Sequence, residues 1–146
     1  MPSLIRAGQS DIPPPEQDPF VGQWRANVTQ SKPKPKLNKT GASYERTVKR
    51  DGDDLIFASS GGASQAAIRD FRIRCDGTFH RLPVGSLLSC RYVGASRVEG
   101  ETKGRNGDHS FWTREVSAKG QEMKISEYKD RARTKLRSLW VMDRVQ

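Results

Sequence analysis

The side chains able to do chemistry in this chain are mostly cationic, and few stand beside a catalytic partner. Arg46 lies between Tyr44 and Val48 at a spacing of two, which puts all three on one face of an extended strand. Arg114 and Tyr128 sit in two later stretches of alternating polarity. A guanidinium on the apolar side of a sheet survives only with a partner or a charged ligand. Turned inward, Arg46, Arg114 and Tyr128 form an anchor for a carboxylate or phosphate head group. Turned outward, they are ordinary solvent-facing residues, and the spacing leaves both placements open.

Other chemistries have less support. His80 and His109 are far apart, only Asp108 adjoins one of them, and His109 reads as a surface residue near a turn. A barrel enzyme would need His80 to meet an interior glutamate. Glu99, Glu101, Glu115 and Glu127 fall on strand-like stretches, where cross-sheet pairing with Lys and Arg explains them. There is no Gly-x-Ser-x-Gly elbow, phosphate loop or His-Glu-x-x-His motif. Without a Cys-x-x-Cys or Cys/His cluster, neither a metal nor a cofactor is expected, and the chain reads as non-catalytic.

The elements that must position these residues read as β-strands. Only 34% of the 146 residues are hydrophobic and 29% are charged, a balance suited to sheets that alternate between core and solvent. Period-two alternation predicts about ten strands, near 22–29, 43–50, 54–59, 67–75, 78–81, 87–93, 96–103, 108–117, 122–129 and 134–143. Asp51-Gly52, Gly61-Gly62, Asp76-Gly77, Asn106-Gly107 and Lys119-Gly120 punctuate them as hairpin turns. A ten-strand meander leaves two long edges unless it closes, so the expected fold is an all-β, antiparallel up-and-down barrel of about 8–10 strands. Phe57, Phe71, Ile73, Tyr92, Phe111 and Trp140, with Tyr44, are then expected to line its interior.

Cys75 and Cys90 share the apolar parity of two nearby strands. If those strands pair, a disulfide would close a loop of about 15 residues; otherwise the two are buried thiols acting as small hydrophobes. The proline-spaced segment Ser31 to Thr40 should be an extended loop, with Lys32, Lys34 and Lys36 as a basic portal for an anionic ligand. No aromatic is interleaved there, so nucleic acid is an unfavoured partner for it. The net charge of +9 supports a second reading, a filled barrel whose basic surface binds nucleic acid or another anionic polymer.

The stretch Asp18-Pro19-Phe20-Val21-Gly22-Gln23-Trp24 marks the expected start of the barrel, at 19–146, after a flexible proline-rich leader at 1–18. Gly-x-Trp alone is weakly specific, since 13 Gly and 3 Trp allow roughly 0.3 chance occurrences. With the Ser31-Lys32 loop entry, Tyr44 and the aliphatic ending Val141-Met142-Asp143-Arg144, the chain resembles the lipocalin-like barrels of the calycin group. It looks closest to small exported bacterial proteins with a similar Pro-Phe-Val-Gly-x-Trp opening. The resemblance implies a fatty-acid-binding-protein-like interior that holds a small hydrophobic or amphipathic molecule. It also implies a barrel floor closed by Trp24, over which Arg144 of the last strand stacks. A periplasmic or secreted location, with a cytoplasmic one as the alternative, and a monomer or weak dimer complete the expectation.

Overall fold

The computed structural model describes residues 12–32, 45–59, 71–83 and 85–145. Tyr44, Lys34, Lys36 and the Gly61-Gly62 pair lie outside these described residues. Ten strands follow in chain order: β1 Gly22–Ala26, β2 Glu45–Asp51, β3 Asp54–Ser59, β4 Phe71–Arg74, β5 Asp76–Arg81, β6 Leu87–Tyr92, β7 Arg97–Lys103, β8 His109–Val116, β9 Glu122–Tyr128 and β10 Leu136–Val145. They form one sheet in the order β4-β3-β2-β1-β10-β9-β8-β7-β6-β5, with every neighbouring pair antiparallel. Pairing of the first strand with the last rolls the meander into a nearly closed barrel, the all-β fold expected.

The turn chemistry explains most of this register. Gly52 and Gly120 adopt φ of 61° and 74°, the left-handed values that tight hairpins require. Asp76-Gly77 is different: the structure replaces the expected hairpin turn with a bulge inside β5, where the register slips between Asp76 and Phe79. β4 bonds to β3 and β5 bonds to β6, so the chain passes from β4 to β5 without reversing onto itself. These two strands are the edges of the sheet and meet as a seam with no ladder between them.

A disulfide crosses this region. Cys75, between β4 and β5, is joined to Cys90 on β6, with a Cα–Cα distance of 4.4 Å. The two strands carrying the predicted thiols are not ladder partners; the splay at the seam brings Cys75 against β6. Both cysteines are buried in the core.

Residues opposite one another on paired strands share a face, which defines the interior directly. Val48 faces Phe57, Phe57 faces Phe71, Tyr92 faces Val98, Val98 faces Arg114, and Ile125 faces both Arg114 and Trp140. Trp24, Val48, Phe57, Ile73, Tyr92, Val98, Met123 and Met142 are all buried there. Packing also extends ahead of the expected boundary at Pro19. Pro13 and Asp18 are buried, Ile12 packs against the core, and Pro15–Gln17 forms a single 3-10 turn. The described part of the leader therefore belongs to the barrel.

Candidate functional site

The closed end of the barrel is built from the first and last strands of the chain, which pair in the middle of the sheet. β1 and β10 place Trp24 opposite Arg144. The Arg144 guanidinium lies 4.2 Å from the centre of the Trp24 ring, the stack that the resemblance implied. Its three nitrogens also donate to the carbonyls of Pro19, Val21 and Gly120, at 2.8, 2.9 and 2.6 Å. Gly22 is needed for this approach, because a Cβ there would collide with the same guanidinium. Trp24 is fully buried and its indole N–H donates to the Phe20 carbonyl at 3.0 Å.

A second polar cluster lies under this floor. Asp18 accepts from the Arg50 guanidinium at 2.6 Å, from the Tyr92 hydroxyl at 2.6 Å and from the Phe20 N–H at 2.9 Å. Arg50 also donates to the carbonyls of Pro13 and Gly52. Burial, followed by the Asp18 carboxylate, holds the Tyr92 phenol far above its ordinary pKa, so Tyr92 stays a donor. Asp18 opens the stretch that marks the start of the barrel, but nothing in the sequence marked its pairing, because its partners stand 32 and 74 positions away.

Above the floor, two guanidiniums sit on a pair of stacked rings. Phe57 on β3 and Phe71 on β4 stack with centroids 4.9 Å apart and planes 12° from parallel. Arg114 reaches from β8 across the interior to lie 4.5 Å over Phe57, and 5.7 Å from the Trp112 ring. Arg46 on β2 lies 5.2 Å over Phe71. The register puts both arginines inside: Arg46 opposite Trp24, and Arg114 opposite Val98 and Ile125. The inward placement of this pair is thus the one the structure adopts. Desolvation, followed by the nearby Arg46 charge, pushes the Arg114 pKa down to about 9, so Arg114 is still a cation at neutral pH. Its buried Nε has no hydrogen-bond partner among the described residues.

The remaining predicted lining residues divide between the two faces. Phe57, Phe71, Ile73 and Tyr92 face inward, as does Trp140, which packs against the core from beside Ile125. Phe111 and Tyr128 do not. They face each other across β8 and β9, on the row that includes Glu101 of β7, and so lie on the outer surface of the barrel. Phe111 is nonetheless buried, since the Arg131 guanidinium covers its ring at 4.9 Å while bonding to Glu101 at 3.2 Å. Its parity excludes it from the interior, because Phe111 and Arg114 are separated by an odd number of positions. Trp112, at even spacing from Arg114, is the interior aromatic that the sequence reading missed. Its ring lies flat against Gly100, where a Cβ would strike it, and its N–H donates to Thr102 at 3.1 Å.

Lys32, the described member of the basic portal, pairs its backbone with Leu139 of β10 and is exposed. His80 meets no interior glutamate. Its Nε2 lies 3.0 Å from both oxygens of Asp76 and 3.1 Å from the Thr78 hydroxyl, all on the edge strand β5. His109 bonds to Glu101 at 2.8 Å on the outer surface. Among the described residues, the arrangement inside the barrel offers charge and ring faces.

No family model and no curated protein matches this chain. Solved structures do. A Schistosoma mansoni fatty acid binding protein in complex with arachidonic acid aligns with TM-score 0.58 and 12% identity, over 89% of this chain and 98% of that one. An Echinococcus granulosus fatty-acid-binding protein aligns at 0.57 and 12%, over 88% and 98%. The apo lipid binding protein 8 of Caenorhabditis elegans aligns at 0.56 and 11%, over 87% and 96%. At such identities the likeness is one of fold, and the chain is a ten-stranded barrel similar to those of fatty-acid-binding proteins along nearly their whole length.

Proposed function

We propose that the barrel interior binds a small amphipathic molecule through an acidic head group, without catalysis. The observation that carries this reading is Arg114, a charged guanidinium inside the barrel whose sealed Nε has no protein acceptor among the described residues. An oxyanion supplies the acceptor and offsets the charge. The Arg46 charge acts on Arg114 inside the same barrel and adds to the attraction for an anion, while Phe57, Phe71, Ile125 and Trp140 present apolar surface to a tail. The fold neighbours that carry fatty acid or lipid support the same reading by analogy of fold. An oxidising, exported location accords with the Cys75–Cys90 bridge.

The magnitudes require both ends of the ligand. At about 0.8 kcal/mol per buried methylene, eight carbons contribute on the order of 6 kcal/mol before association costs, so micromolar affinity needs the charge contact as well. Calorimetry with decanoic acid and decanol separates the two contributions. The acid should bind more tightly, and Arg114→Met should weaken the acid by about tenfold or more while leaving the alcohol nearly unchanged. Equal affinity for acid and alcohol, or no heat from either, rejects the reading.

A further inference from the structure

The end of the barrel opposite Trp24 and Arg144 carries a surface of a different kind. The β9–β10 connection reads Lys129-Asp130-Arg131-Ala132-Arg133-Thr134-Lys135-Leu136-Arg137, five cations to one acid. That acid is engaged locally, since Asp130 accepts from the backbone N–H groups of Thr134 and Lys135. Thr134 and Lys135 are thereby held in a fixed turn. Leu136, the first residue of β10, is 50% exposed and stands in register beside Tyr128, which stands beside Phe111 on the outer face. On the same end Lys103 lies 4.2 Å over the exposed ring of Phe79, with Arg105 in the next turn. The opposite end is mixed in sign, with Asp51 paired to Arg72 and Glu115 to Arg97.

From this juxtaposition of an exposed Leu136 with the cations of the β9–β10 hairpin, we propose that this end docks on an anionic lipid bilayer. A bilayer interface is the partner that uses both components: cations lie among anionic head groups while an aliphatic side chain enters the acyl boundary and a tyrosine sits at head-group level. Single-stranded nucleic acid fits less well, because it stacks its bases on open aromatic faces. Here the Phe111 face is occupied by Arg131 and the Phe79 face by Lys103. Docking in this orientation presents the end of the barrel away from the sealed floor to the lipid.

Flotation of the ligand-free, full-length chain with lipid vesicles tests this independently of ligand carriage. Vesicles of phosphatidylcholine containing about one third phosphatidylglycerol should carry the protein at low salt, and pure phosphatidylcholine should not. Sodium chloride at about 0.5 M should release it, as screening shortens to a few ångströms. Lys129→Glu with Lys135→Glu should lower the partition coefficient by about tenfold or more. Leu136→Ser should lower it several-fold, with the thermal midpoint of each variant checked against wild type. Failure to float with the anionic vesicles overturns the proposal. So does a Leu136→Ser variant that floats like wild type, and retention on single-stranded DNA equally insensitive to Leu136 would then identify a generic polyanion patch.

Discussion

Asp18 and Arg50 meet at 2.6 Å in a place where their side chains are 0% and 3% exposed. The pair joins the segment before β1 to the end of β2, and the Tyr92 hydroxyl brings in β6 through the same carboxylate oxygen. Three distant parts of the chain thus converge on one buried anion. Asp18→Asn should destabilise the protein by about 3–5 kcal/mol, because it leaves the Arg50 charge buried without a counter-charge. Asp18→Asn combined with Arg50→Met should cost less than the single change. Urea unfolding measures both, and a single variant within about 0.5 kcal/mol of wild type would remove the pair from the structural account.

Gly100 and Trp112 make a second prediction, one specific to the interior. A Cβ at Gly100 would overlap the Trp112 ring, so Gly100→Ala must displace the indole from the wall and break its bond to Thr102. The expected loss is about 1–3 kcal/mol, the range for overpacked cores. A red shift of Trp112 emission in a variant retaining Trp112 alone among the tryptophans reports the displacement. An unshifted spectrum with unchanged stability would contradict the described contact.

The Cys75–Cys90 bridge closes a loop with a sequence separation of 15 residues. In the chain-entropy model such a crosslink contributes roughly 3 kcal/mol. The Cys75→Ser, Cys90→Ser double variant should therefore lower stability by about that amount while retaining the barrel's circular-dichroism spectrum. Thiol titration of the denatured, non-reduced wild type gives an independent check, with no free thiol as the expected count.

Asp54 supplies the pH prediction. Its hydrogen bond to Arg74 is the largest influence on it, and that bond together with the one to Arg72 outweighs burial and holds its pKa below the ordinary carboxylate value of 3.8. A depressed folded-state pKa means that the unfolded chain takes up the proton first, so stability rises with pH through this window. The contribution is fully present well above pH 4 and is lost as pH falls through 3.8 toward the lower folded value. Asp54→Asn should flatten the acid limb of the stability curve between about pH 5 and pH 2 and change its slope little near pH 7. An acid limb identical to wild type would exclude Asp54 from the acid transition.

Much of the barrel was legible because its signals are local. Alternation set strand existence, and paired turn residues such as Asp51-Gly52 and Lys119-Gly120 set the hairpins. The Trp24–Arg144 stack was legible through a family resemblance together with the geometry of closure. What failed was non-local or broke a local rule. Asp76-Gly77 has turn chemistry but opens a bulge, since no residue nearby says whether the next strand will fold back or move away. Phe111 and Tyr128 were placed inside because they are large and aromatic, whereas Arg131 buries one of them from the solvent side. Strict parity counting from Arg114 would have exchanged Phe111 for Trp112. Arg46 and Arg114 were identified by parity, but their convergence over stacked rings depends on contacts between strands far apart in the chain.

The seam between β4 and β5 is where the circumference of this barrel is expected to yield most easily. Elsewhere around the sheet, widening the wall would break rows of ladder hydrogen bonds, but at the seam there are none to break. The chain itself and the Cys75–Cys90 bond restrain one end of that slit, where β4 passes into β5. Any widening of the wall is therefore expected to be anisotropic, held at a covalently fixed throat near the floor and opening like a funnel toward the end where the β9–β10 hairpin stands.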